Sequence, residues 1–130
     1  MSDDEALSLA ARQGLGMPPA YGPNAPSSMQ AMLEMVHAAR GRGFAVTQET
    51  FTPGLNAIAA PVRLGGQPPM GVISIAGPTV RFTEARMQAL GPDLVSSAAQ
   101  LAAASGASAL FSKYHCKPAS RSGLKPIYAD

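Results

Sequence analysis

The chain has 130 residues, ten basic and eight acidic side chains, a formal charge of +2, and only 14% charged residues, against about a quarter in an average soluble domain. This length gives one domain or part of one. The single Cys116 excludes an internal disulfide framework and a multi-cysteine zinc site. Apolar residues make up 46%, but there is no Trp and aromatics are only 5%, so any core rests on aliphatic residues and the seven Met.

The acidic start, Met1-Ser2-Asp3-Asp4-Glu5, does not read as a secretory signal, which begins basic and turns apolar; the expectation is a soluble cytoplasmic protein. Residues 2 to 15 fit a short helix with Leu7, Leu9, Ala10 and Leu15 as its apolar positions, stopped by Gly14 and Gly16. Met17 to Pro26 holds four Pro and reads as a linker, because Pro continues neither a helix nor a central strand.

Ser27 to Arg40 is the first strongly periodic segment. Met29, Met32, Leu33, Val36 and Ala39 recur at helical spacing as one apolar stripe. Ser27 with Gln30 three residues later fits a capping box. Arg40 and Arg42 suit the negative end of the helix dipole, and Gly41 or Gly43 supplies a left-handed C-terminal residue. Strands are expected over Phe44–Gln48, Gly54–Val62 and Met70–Ala76. Pro61 points to an edge or bulge in the second, and Gly77-Pro78 breaks the third. The turn Arg63–Pro69 makes the last two strands an antiparallel hairpin.

Thr83 caps a second helical region whose stripe is Met87, Leu90, Leu94, Ala98 and Leu101. Pro92 either kinks it or starts the main helix at its first position. The uncharged run Leu94 to Phe111 contains four Ser, Gln100 and Gly106, too polar for a spanning helix. From Ser112 the chain carries Lys113, Lys117, Arg121 and Lys125 against Asp130, leaving six basic and seven acidic residues before it. The basic balance therefore comes from a short tail, expected to be disordered. It offers weak, salt-sensitive attraction to nucleic acid at most. The expected class is α+β, an antiparallel sheet flanked by helices. Three strands leave both sheet edges without an obvious partner.

Three pieces carry a resemblance: Arg42-Gly43-Phe44-Ala45-Val46, then Gly54-Leu55-Asn56-Ala57-Ile58-Ala59-Ala60-Pro61-Val62-Arg63, then Met70-Gly71-Val72-Ile73-Ser74-Ile75-Ala76-Gly77-Pro78 followed by Arg81-Phe82-Thr83 and a helix. In this order and spacing, over roughly residues 27 to 106, the chain resembles the C-terminal half of the effector-binding domain of IclR-type bacterial transcriptional regulators. The resemblance implies a GAF-like sheet that binds a small organic effector on one face, an organic acid or aromatic compound. It also implies association into homo-oligomers, with DNA reached only through a winged helix-turn-helix. This chain has no room for that winged helix or for the first strands of the effector domain, and so reads as an incomplete domain. The division is an extension over 1–26, a partial effector domain over 27–111 and the basic tail over 112–130.

The resemblance places the family's ligand-contacting positions on Thr47, where the family often has an acid, on Leu55 and Ala57, and on Ser74 and Ala76. Within each strand the paired positions are two apart and so share a face. Ser74 then offers a hydroxyl to a carboxylate or carbonyl oxygen. Thr47 in place of an acid, and Ala76 in place of a second hydroxyl, favour an effector less dependent on polar anchoring than a small oxo-acid. Competing readings give Ser74 a helix–sheet packing role and Thr47 an ordinary strand role. Asn56 faces solvent or is a bonded core residue. His37 pairs locally with Glu34 three residues back. No cofactor or metal is expected, and no enzyme activity. The alternatives are an oligomerisation remnant without ligand, or a thiol enzyme using Cys116 and His115, a pair adjacent in a segment without periodicity where a nucleophile needs a rigidly held base.

Overall fold

The computed structural model describes residues 1–15 and 20–107. Three helices, α1 (Asp3–Gln13), α2 (Met29–Arg42) and α3 (Glu84–Ala104), accompany three strands, β1 (Ala45–Gln48), β2 (Leu55–Val62) and β3 (Gly71–Pro78). The sheet is antiparallel in the order β1-β2-β3, so the fold is α+β, an antiparallel sheet flanked by helices as expected. The basic tail, His115 and Cys116 lie outside the described residues.

Residues opposite one another across an antiparallel ladder share a face. The register Val46↔Ile58↔Ile75 and Ala60↔Ile73 defines the face toward the helices. There Ile58, Ala60 and Val62 are buried against Met87, Leu94, Ala98 and Ala102 of α3, with Phe44 and Phe82 closing the core. The buried positions of α3 include Gly91 and Ala102, while Leu101, expected on the stripe, is exposed. Small residues at 91, 98 and 102 let the helix approach the sheet. At Gly91 a Cβ would overlap the ring of Phe44.

Proline positions become intelligible from the hydrogen-bond phase. The bond from Thr79 N–H to Gly54 O, 2.9 Å, extends the β2–β3 register by one pair. It makes Gly71, Ile73, Ile75 and Gly77 the residues that exchange bonds with β2. Pro78 falls in the other phase, with its nitrogen toward the free edge, and so the strand runs through Gly77-Pro78 instead of breaking there. Likewise Pro61 lies in the central strand, not at an edge. The bond from Glu49 N–H to Leu55 O, 2.9 Å, sets a phase that places Pro61 opposite Gly43, before β1 begins. Its missing donor is not needed.

Helix α3 is continuous through Pro92. Proline deletes one bond, to the carbonyl of Gln88. Both residues are exposed, and Gly91 before the ring has no Cβ to clash with it. Thr83 caps the helix as expected. For α2 the cap is Ser28, whose Oγ accepts from Ala31 N–H at 3.1 Å. The box with Ser27 does not form, and Gln30 instead bonds Glu34 at 3.2 Å. Gly43 ends α2 with φ 83°, the left-handed conformation glycine adopts without strain.

Helix α1 begins with a capping box between Ser2 and Glu5 and docks on α2. Asp3 receives His37 Nε2 at 2.8 Å and the Arg40 guanidinium, so His37 pairs with α1 and not with Glu34. The two cationic-side partners, Arg40 first, hold the Asp3 carboxyl below its ordinary value of 3.8. Residues 20–26 are more than a linker: Gly22 and Asn24 bond the outer edge of β1 and the residues that follow it, with Asn24 Nδ2 on Gln48 O at 2.9 Å. Among the described residues no helix is long and apolar enough to cross a membrane.

Candidate functional site

The five sequence-expected positions all lie on the face of the sheet turned away from the helices. The register pairs Thr47 with Ala57 and Ala57 with Ala76, so these three form one row across all three strands. Leu55 and Ser74 flank that row on opposite sides, Leu55 opposite Pro78 and Ser74 opposite Ala59. They are four residues apart in register, roughly 13 Å along the strands. A molecule touching both would span the row lengthwise.

This face is open among the described residues. Ser74, Ala76, Pro61, Pro78 and Val72 are exposed, Leu55 is 38% exposed, and Thr47, Ala57 and Ala59 are half-buried. Ser74 therefore does not close helix–sheet packing. The Thr47 hydroxyl donates to Ala57 O at 3.3 Å, which leaves its lone pairs as acceptors. Ser74 Oγ has no intramolecular partner among the described residues. No strand residue on this face is charged. The surface is a floor of methyl and methylene groups with two hydroxyls, suited to an apolar body with one or two polar atoms.

Asn56 points the other way. It is buried, and its Nδ2 donates to Phe82 O at 2.8 Å, so the core reading of this residue holds. Its Oδ1 has no partner. Gly77 stands opposite Asn56, and its missing Cβ leaves room for Phe82.

A groove away from this face was not foreseen from the sequence. A groove of about 650 Å³ runs on the helix side, between α2 and the start of α3, with Glu34, Met35, Arg42, Gln48 and Glu84 among its lining. It shares no residue with the open floor. Met35 does not belong to the expected α2 stripe, and only the placement of α2 over β1 turns it toward the groove. Among the described residues no group of three His, Cys, Asp or Glu side chains could hold a metal.

Comparison with known proteins fits this geometry. A family model described as the C-terminal part of the bacterial transcriptional regulator IclR matches residues 19–103. Over 72 residues the chain is 39% identical to the HTH-type transcriptional regulator BhcR of Paracoccus denitrificans (strain Pd 1222), covering 55% of this chain and 25% of that protein. The C-terminal domain of the E. coli transcriptional regulator KdgR is similar in structure, with a TM-score of 0.67 and 25% identity over 79% of this chain and 61% of that one. The inducer-binding domain of PobR from Acinetobacter, a double mutant in complex with 3-hydroxybenzoic acid, shares the fold at a TM-score of 0.67 and 21% identity, over 78% of this chain and 57% of that one. The chain thus spans about a quarter of the length of the curated relative it matches. With residues 19–103, more than half of the chain, matched by this family model, the chain belongs to the IclR C-terminal family of bacterial transcriptional regulators.

Proposed function

We propose that this chain is the effector-sensing and self-associating part of an IclR-type regulator, working in the cytoplasm without catalysis or cofactor. The observation that carries the reading is the single open row Thr47–Ala57–Ala76 flanked by Leu55 and Ser74. These are the positions onto which the family resemblance carries the ligand contacts. In this reading Ser74 gives a hydrogen bond to a carboxylate or carbonyl oxygen, and Leu55, Ala57 and Ala76 support the apolar body. The effector is an organic acid or aromatic compound, and the inducer-bound PobR domain supports that class. Residues 27–111 carry this role, with 1–26 as an extension and 112–130 as a tail. DNA is reached only through a winged-helix segment or partner. An effector changes operator occupancy only by binding two arrangements of the regulator with different affinity.

The test is calorimetry or thermal shift with a panel of aromatic and aliphatic acids that includes 3-hydroxybenzoate. At least one should raise the melting temperature. Ser74→Val should weaken that compound tenfold or more, since a hydrogen bond to a charged group contributes about 1.5–3 kcal/mol. Ser97→Val on the exposed side of α3 should leave binding unchanged. No shift with any compound would remove the sensing role.

A further inference from the structure

The groove on the helix side has features that the proposed function does not use. One wall is a stripe of α2: Ala31, Glu34, Met35, Ala38 and Arg42. They recur at i, i+3, i+4, i+7 and i+11, a face turned about a third of a turn from the apolar stripe of the same helix. Glu84 and Gln88, four apart on the first turns of α3, form the other wall, and Val46 and Gln48 of β1 form the floor. Asn24 and Gly22 bond the outer edge of β1 at Gln48 and just past it. A strand that joins this sheet therefore joins at β3, across the sheet from the groove.

Charge sets this concavity apart. Glu34, Arg42 and Glu84 are exposed, and among the described residues none of them is in an ion pair. Glu34 Oε1 accepts a bond from Gln30 at 3.2 Å. The Arg42 guanidinium lies over the Phe44 ring, 5.6 Å from its centroid. The ring face steadies the cation and leaves its N–H fork to a carboxylate. Glu34 and Arg42 are eight residues apart, about 12 Å along α2, with Met35 and Ala38 between them. The side-chain amides of Gln48 and Gln88 have no hydrogen-bond partner among the described residues.

The geometry points to a second ligand site in this groove, one that takes a short zwitterionic peptide. Arg42 holds the C-terminal carboxylate, and Glu34 and Glu84 hold the N-terminal ammonium. Gln48 and Gln88 pair with the peptide bond between them. Small side chains rest on Met35, Ala38 and Val46. Selection follows from sign and length. A simple organic acid meets two carboxylates here and leaves them unpaired. A free α-amino acid holds its two charges too close together to reach both ends. The groove, about 650 Å³, has the volume of a small-molecule site. It is separate from the strand floor, so it stands or falls independently of the effector reading.

The experiment is calorimetry on the full 130-residue chain with dialanine and trialanine, together with amide chemical-shift mapping of the complex. Saturable binding is expected, with shifts at Val46, Gln48 and Gln88. The N-acetylated and C-amidated peptides should each bind about fivefold more weakly, the upper range for one exposed ion pair. Arg42→Gln and Glu84→Gln should each weaken the unblocked peptide about as much. Arg63→Gln, in the turn after β2, should change nothing. Should Arg42→Gln not fold, the blocked peptides on the unaltered chain decide. No binding at millimolar concentration overturns the site. Equal affinity for the blocked peptides overturns it too, since apolar contact alone then accounts for binding. Shifts confined to Ser74 and Ala76 also overturn it, because the peptide then lies on the strand floor.

Discussion

Gly91 shows how one missing methyl sets the distance between α3 and the sheet. The ring of Phe44 occupies the place where a Cβ would stand. Alanine is the better helix former by about 1 kcal/mol, yet overpacking in a filled core costs about 1–3 kcal/mol. Gly91→Ala is therefore expected to destabilise, and a urea midpoint below that of the parent chain checks it. Asn56 is a second decisive residue. Its Nδ2 is the donor to the Phe82 carbonyl beside the α3 cap. Asn56→Ala leaves that buried oxygen unpaired, at a cost of about 1–3 kcal/mol, readable in the same titration. Composition identified Asn56 as unusual in an apolar strand, but not its direction. Only the register, which sets it on the face opposite Leu55 and Ala57, chooses between solvent and core.

At the scale of elements, α1 is held by charge as well as by apolar contact, and so depends on pH. Asp3 is lowered by the Arg40 hydrogen bond first and by His37 second. Glu5 is lowered first by the bond from the Ser2 N–H in the capping box. A depressed carboxylate contributes stability that is complete above its ordinary value and lost as pH falls through the folded one. For these groups the loss falls below pH 4.5 for Glu5 and below 3.8 for Asp3. The amides of α1 should thus lose exchange protection as pH falls below about 4.5, before those of α3 do. In Asp3→Asn the Asp3 share of that dependence should vanish and the Glu5 share persist. The periodicity that revealed α2 and α3 lay in the sequence. The partner of α1 did not, because Asp3 and His37 are 34 residues apart and nothing local links them.

As a whole molecule, the chain puts one core between α3 and a three-stranded sheet and leaves the sheet's other face open. So small a sheet gains stability when a partner extends it. The melting temperature should rise with protein concentration, and a transition independent of concentration would speak against pairing. The sequence by itself determined the elements, because hydrophobic period, caps and turn residues act over a few positions. It also carried the family's strand motifs, and two-residue alternation put Leu55 with Ala57 and Ser74 with Ala76. Tertiary structure alone decided the rest. Cross-strand register made Thr47, Ala57 and Ala76 one row with Leu55 and Ser74 on either side. Bond phase made Pro78 and Pro61 harmless in strands. Helix placement turned one face into core and left the other as floor. Register and phase depend on which distant backbone groups meet, and that is settled only when the strands and α3 bury their apolar faces together.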